Sequence, residues 1–166
     1  INYPLAYYAA FFSIRAKAFS YELMCQGQAR LEAVMADYKR RMDAAADKEP
    51  GAVPLTNREE AAYGDMRIVQ EMYARGYEFV PIDIFTAQSR SFQIVGDKLM
   101  PSLNSIDGLG DKAADAIVEA VKDGPFLSKD DFRERTKVSK TMTDLMQSLN
   151  LLGDLPESNQ LSLFDF

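Results

Sequence analysis

The chain has 166 residues, 47% hydrophobic and 27% charged, with 25 acidic against 19 basic side chains and a formal net charge of −6. One domain or two small ones with a real core fit these values, and the acidic balance excludes strong nucleic-acid binding carried by net charge, since such affinity rests on Lys and Arg. The absence of histidine and the single Cys25 exclude an internal disulfide, the usual zinc ligand sets and Ser-His-Asp or Cys-His catalysis, and fit a reducing cytoplasm.

No Asp-x-Asp pair occurs, so no two-metal phosphoryl-transfer site is expected. The most apolar run, Leu5 to Ile14, is interrupted by Arg15 and Lys17, too short to cross a membrane. There is no signal-peptide pattern, and a first residue Ile1 leading directly into an aromatic-rich pattern reads as a piece of a longer chain. A cytoplasmic protein without a membrane partner is the expectation.

In chain order, Pro4 suits a first helical turn and predicts a helix over Leu5 to Lys17. Its Tyr7, Tyr8, Phe11 and Phe12 occupy more than one face, so neighbours should cover it. From Tyr21 to Ala46 an amphipathic pattern places Leu31, Val34, Met35, Tyr38 and Met42 on one stripe, with Arg30, Lys39, Arg40 and Arg41 mostly on a solvated face. Asp47 to Leu55 reads as a loop. Thr56-Asn57-Arg58-Glu59 is a capping-box pattern that starts a helix with Ala62, Met66, Val69, Met72 and Tyr73 inward and Gly76 at its C-terminal cap. Between Phe79 and Pro101 the period changes. Val80, Ile82, Ile84 and Phe85, then Phe92, Ile94 and Val95, favour short strands, and Gly96-Asp97 is a two-residue hairpin turn before Lys98-Leu99-Met100.

The most informative stretch follows, Ile106-Asp107-Gly108-Leu109-Gly110-Asp111-Lys112-Ala113-Ala114. An apolar-x-Gly-apolar-Gly-x-x-Ala frame is the pattern of a helix-hairpin-helix. Glycines permit φ > 0 and leave no Cβ between backbone and ligand. The next helix start directs N–H groups and its dipole at an anion. Leu109 should plug into the core, and Ala113, Ala114 and Ala116 let the helices approach. The alternative is a glycine-capped turn that binds nothing. Gly124-Pro125 stops the helix, and Ser128 and Ser139 can cap two further ones, the second with Met142, Leu145, Met146 and Leu149 inward. Lys137-Val138-Ser139-Lys140-Thr141 occupies the place of a second hairpin without glycines, with Val138 as plug and Lys137 and Lys140 as phosphate contacts; a plain helix connection is the other reading. Arg133, Arg135, Lys137 and Lys140 form a local basic cluster, which predicts weak, salt-sensitive contact.

The last segment, Leu155 to Phe166, joins a polar spacer containing Pro156 to Gln160-Leu161-Ser162-Leu163-Phe164. Large apolar residues after such a spacer need a partner. Leu161, Leu163 and Phe164 would fill an apolar cleft with Gln160 at its rim, unless they fold back on the chain's own core.

Taken together, these motifs resemble the C-terminal end of the PolC-type bacterial DNA polymerase III alpha subunit over nearly the whole chain. Tyr3 to Ala16 is similar to the helix closing the fingers region. Asn104 to Gly110 resembles the family's duplex-binding helix-hairpin-helix, and Phe126 to Phe132 with Val138-Ser139-Lys140 its second half. Gln160 to Phe164 resembles the terminal peptide that holds the sliding clamp. The related DnaE-type subunit places that peptide internally.

The resemblance implies a mainly α fold with a small antiparallel β element, in which a tandem helix-hairpin-helix domain follows a helical fingers fragment. The expected divisions are residues 1–76 (fingers fragment), 77–101 (β-hairpin junction), 102–155 (duplex-DNA-binding domain) and 156–166 (flexible tail). It implies backbone contacts to primer-template duplex by Gly108, Leu109, Gly110, Asp111, Lys112, Lys137, Ser139 and Lys140. Clamp contacts are implied for Gln160, Leu161, Ser162, Leu163 and Phe164. The parent enzyme is implied to be a DNA-directed DNA polymerase using magnesium held by palm aspartates. Nothing here matches those aspartates, so this segment is expected to be inactive and to hold no cofactor. The competing readings are an interaction scaffold with hairpins that touch no DNA, and a base-excision glycosylase, whose catalytic aspartate has its nearest match in Asp123-Gly124-Pro125.

Overall fold

The computed structural model describes residues 3–158. Its helices are α1 (Tyr3–Arg15), α2 (Tyr21–Met24), α3 (Gln28–Ala46), α4 (Asn57–Ala74), α5 (Asp111–Val121), α6 (Lys129–Thr136) and α7 (Lys140–Ser148), with 3-10 turns at Ala16–Ala18 and Leu103–Ser105. One antiparallel hairpin, β1 (Gln93–Val95) with β2 (Lys98–Met100), lies between α4 and α5, so the mainly α fold with a small β element is observed. Among the described residues no helix is long and apolar enough to cross a membrane.

Helix α1 buries Leu5, Tyr8 and Phe12, a three- and four-residue spacing that lines one stripe. Tyr7, one residue and about 100° away from Tyr8, is 60% exposed, so the α1 aromatics are not all covered. The single helix expected over Tyr21 to Ala46 is two. Gly27 at φ +101°, a conformation that side chains disfavour, separates α2 from α3. The capping box of Thr56 and Glu59 starts α4, and Gly76 at φ +86° follows its C-terminus.

Arg41 is not on a solvated face. Its guanidinium donates two bonds to the Glu59 carboxylate (2.7 and 3.0 Å) and one each to the Val53 and Pro54 carbonyls, pinning the 47–55 loop to the start of α4. The hydrogen bonds from Arg41, then from the Thr56 backbone, hold the Glu59 carboxyl down at about 2.

The strand expected at Val80 to Phe85 does not form. Only the Phe79–Leu99 bridge and the Val80 N–H to Leu99 carbonyl bond (2.8 Å) tie this run to the hairpin. Pro81 offers no N–H, and Asp83 turns the chain: its carboxylate accepts from Phe85 N–H and its carbonyl from Thr86 and Ala87 N–H. Ile82 and Ile84 are buried nonetheless.

Two apolar clusters result. The first gathers Leu5, Tyr8, Phe12, Phe19, Leu31, Met66, Val69, Met72, Phe92 and Leu99; the second gathers Ile82, Ile84, Leu103, Ile106, Leu109, Ile117, Phe126, Phe132, Val138 and Met146. The two clusters adjoin. Tyr21 of α2 belongs to the second cluster, and its hydroxyl accepts from Ile82 N–H (3.3 Å), while adjacent Leu99 and Met100 of β2 enter the first and second respectively. Opposite faces of one short strand therefore serve both clusters.

Candidate nucleic-acid interface

Ile106 and Leu109 are buried on either side of Asp107-Gly108, and the Leu109 N–H donates to the Ile106 carbonyl (3.0 Å) to close the turn. Leu109 is the expected plug. The two glycines, however, have different reasons to be glycine. Gly108 alone has positive φ (+83°), and a Cβ there would meet Met142 Cε of α7 at 3.0 Å. Gly110 is extended (φ −72°, ψ 170°), and a Cβ there would meet nothing within 4 Å. Its missing side chain leaves open space before the start of α5. Gly110 is the N-cap and supplies no side-chain bond, so no cap side chain occupies the first N–H groups of α5, beside exposed Lys112.

The second hairpin repeats this path with other residues. Lys137 takes the left-handed conformation (φ +62°, ψ 17°) that Gly108 takes in the first. Val138, 5% exposed, is the plug, and Ser139 stands at the N-cap of α7 where Gly110 stands for α5. One chemical difference follows: the Ser139 hydroxyl accepts from Met142 N–H (3.1 Å), which removes one donor from the helix start. Met142 in turn sits beneath Gly108, so the two hairpins are packed together.

The expected basic cluster is largely neutralised. Arg133 pairs with Asp130 and with Glu157. Arg135 turns inward, donating to the carbonyls of Ala120 (2.6 Å), Gly124 (2.9 Å) and Pro125 (2.9 Å) and to Asp131, with its guanidinium 4.5 Å from the centre of the Phe126 ring. It closes the C-terminus of α5. Lys140 is exposed but reaches Asp144 (3.1 Å). Lys112 and Lys137 carry no ion pair among the described residues. Gln160 to Phe164 lie outside the described residues.

The side chain of Asp111 faces its own protein rather than outward. It accepts from Asn104 (3.1 Å) and pairs with Lys17 (3.1 Å) and Arg90 (4.0 Å), and the Asn104 bond, then Lys17, lowers its pKa. Arg90 also pairs with Asp115. Asp107 binds the Ser20 hydroxyl (2.8 Å), and the same hydroxyl caps α2 by accepting from Leu23 N–H. Burial pushes the Asp107 carboxyl up, with its other oxygen buried and without a partner among the described residues. These bonds anchor the first hairpin to the N-terminal helices. Ser20 and Asp107 are 87 residues apart, and no local pattern announces their contact.

Among the described residues no group of three or more His, Cys, Asp and Glu side chains is placed to hold a metal ion, and the carboxylates near the hairpins are spent on Lys17, Arg90, Asn104 and Ser20.

Comparison with known proteins agrees with the hairpin geometry. Residues 76–160 match the family model described as helix-hairpin-helix motif. The chain is 42% identical over 165 residues to DNA polymerase III PolC-type of Streptococcus sanguinis (strain SK36), and 41% to that of Streptococcus pneumoniae serotype 2 (strain D39 / NCTC 7466). It is also 42% identical over 164 residues to that of Bacillus cereus (strain ATCC 14579). Each match covers 99% of this chain and 11% of the relative, so the chain spans about a ninth of the length of these polymerases. On the strength of residues 76–160, the chain belongs to the helix-hairpin-helix motif family.

Proposed function

We propose that this chain is the duplex-holding part of a PolC-type replicative DNA polymerase, gripping the backbone of the primer-template without reading its sequence. One observation carries the reading: two pseudo-equivalent hairpins lead into helix starts, the first without a side-chain cap, each beside a lysine free of ion pairs. Backbone N–H groups of Gly110 to Lys112 hold one phosphate, while Lys112, Lys137 and Lys140 add charge and Ser139 a hydroxyl. Gly108 and Leu109 set the turn. Phosphates carry no base information, so such contacts position a duplex and specify nothing. The acidic net charge is compatible with this grip because the cations are placed locally.

In this reading the parent enzyme joins deoxynucleotides with magnesium held by residues outside this chain. The segment alone is inactive, and its cytoplasmic setting follows from replication in bacteria. Gln160 to Phe164 tether the polymerase to its sliding clamp, with Leu161, Leu163 and Phe164 filling a cleft and Ser162 facing away.

The test is duplex binding by the chain, read by fluorescence anisotropy across salt concentrations. Duplexes of unrelated sequence should bind alike, and log affinity should fall against log salt with a slope of about −2 or steeper, from two or more phosphate contacts. A clamp titration serves as a second arm, in which deleting residues 160–166 abolishes binding. No duplex binding at low salt would leave only the scaffold reading.

A further inference from the structure

Lys17, Arg58, Asn104 and Gly108 to Asp111 line a single open cleft of about 360 Å³ between the first hairpin and the N-terminal helices. Three separate stretches of sequence meet there: the 3-10 turn after α1, the first turn of α4, and the hairpin. Two of the cleft's groups are carboxylates: Asp111 is engaged with Lys17, Arg90 and Asn104, while Asp107 binds Ser20 through one oxygen and keeps the other buried and without a partner among the described residues.

Arg58 forms no ion pair, although its charge acts to lower the pKa of Asp107 in the same cleft. Among the described residues, Lys48, Arg58, Arg67, Lys112 and Lys137 are the cations without an ion pair, and three of these five lie at the hairpins or their cleft. Arg58 is exposed at the second position of α4, where the helix dipole disfavours a cation. The nearest acid in sequence, Glu59, is already taken by Arg41 and Thr56. A guanidinium held unpaired, against a helix dipole, and facing a cleft with backbone N–H groups that no cap side chain occupies is complementary to an anion with several oxygens.

Resting on the reading of the hairpins as a duplex grip, we infer that Arg58, assisted by Lys17, holds a backbone phosphate next to the one bound by the first hairpin. The N-terminal helices then share the nucleic-acid interface, and the Ser20–Asp107 bond fixes the spacing between the two phosphate sites. Lys17 is 81% exposed on its side chain and spans from the turn after α1 to Asp111, so it can exchange that carboxylate for a phosphate oxygen.

The experiment compares Arg58→Gln with Arg67→Gln in the whole chain. Arg67 is also unpaired and on α4, but nine residues on it points to the opposite side of the helix. Both variants leave every ion pair among the described residues intact, and circular dichroism confirms their fold. Arg58→Gln should lower the magnitude of the salt slope by about 0.9 and weaken duplex binding about eightfold at 0.1 M salt, the counterion contribution of one phosphate contact. Arg67→Gln should change neither. Wild-type binding that Arg58→Gln leaves unaltered in slope and affinity overturns this inference while the hairpin grip stands. Equal losses in both variants would show a diffuse field effect and overturn it too. Absence of duplex binding by the wild type removes the grip and this inference together.

Discussion

Phe12→Ala should destabilise the chain by about 3–5 kcal/mol, the range for deleting a large buried aromatic side chain. Phe12 is fully buried, and its ring lies 5.1 Å from Phe19, 5.7 Å from Phe92, 5.8 Å from Tyr8 and 5.9 Å from Phe79, centre to centre. Its neighbours come from α1, the turn before α2, the residues after α4 and the start of the hairpin. Collapse around the cavity would have to move four elements at once, which places the cost toward the upper end. Neighbouring Phe11 is only partly buried, so Phe11→Ala should cost clearly less. Urea denaturation of the two variants measures both. A loss below about 1.5 kcal/mol for Phe12→Ala would mean that these aromatics are not one packed core.

Arg135→Ala should cost about 2–4 kcal/mol without weakening duplex binding in the folded protein, because this arginine is structural. Its guanidinium satisfies the carbonyls of Ala120, Gly124 and Pro125 where α5 ends and the chain turns toward α6. Removing it takes the donor from the Gly124 and Pro125 carbonyls, leaves the Ala120 carbonyl to Asp123 N–H and Asp131 to Leu127 N–H, and uncovers the Phe126 ring. Each charge-assisted bond of this kind contributes about 1.5–3 kcal/mol, discounted here for partial exposure. Arg135→Lys should recover little, since an ammonium cannot reproduce the planar fork. Thermal unfolding and anisotropy on the same samples separate stability from binding. Duplex affinity that falls in proportion to the charge removed, with no change in stability, would put Arg135 back in the interface.

The same residue shows where sequence reading reached its limit. Arg133, Arg135, Lys137 and Lys140 look alike as a basic run, yet what each charge faces depends on Asp130, Asp131, Glu157 and on carbonyls set free by the end of α5. Local signals were legible because local physics decides them. The capping box at Thr56, the caps at Ser128 and Ser139, the Gly96-Asp97 turn and the plugs Leu109 and Val138 all stand where their patterns place them. No strand forms at Val80 to Phe85, because alternating burial needs only an inward-facing chain, whereas a strand needs N–H groups that Pro81 lacks and the Asp83 turn diverts. The pairing of Ser20 with Asp107, and the entry of Lys17 and Arg58 into the hairpin cleft, arise from tertiary packing. A cation in a helix's first turn was the one visible hint for Arg58.

The two glycines of the first hairpin separate fold from function, and Gly110 gives the most direct test of the grip. Its φ of −72° suits any residue, and a Cβ there meets no atom within 4 Å, so Gly110→Val should fold normally at a cost of about 1 kcal/mol for a poorer N-cap. The branched side chain would stand in front of the first N–H groups of α5 and keep a phosphate from reaching them. Duplex affinity of the folded Gly110→Val protein, measured by anisotropy at fixed salt, should fall at least about tenfold, the loss of one charge-assisted hydrogen bond. Affinity equal to wild type in a folded Gly110→Val chain would contradict the account and leave the first hairpin as packing alone.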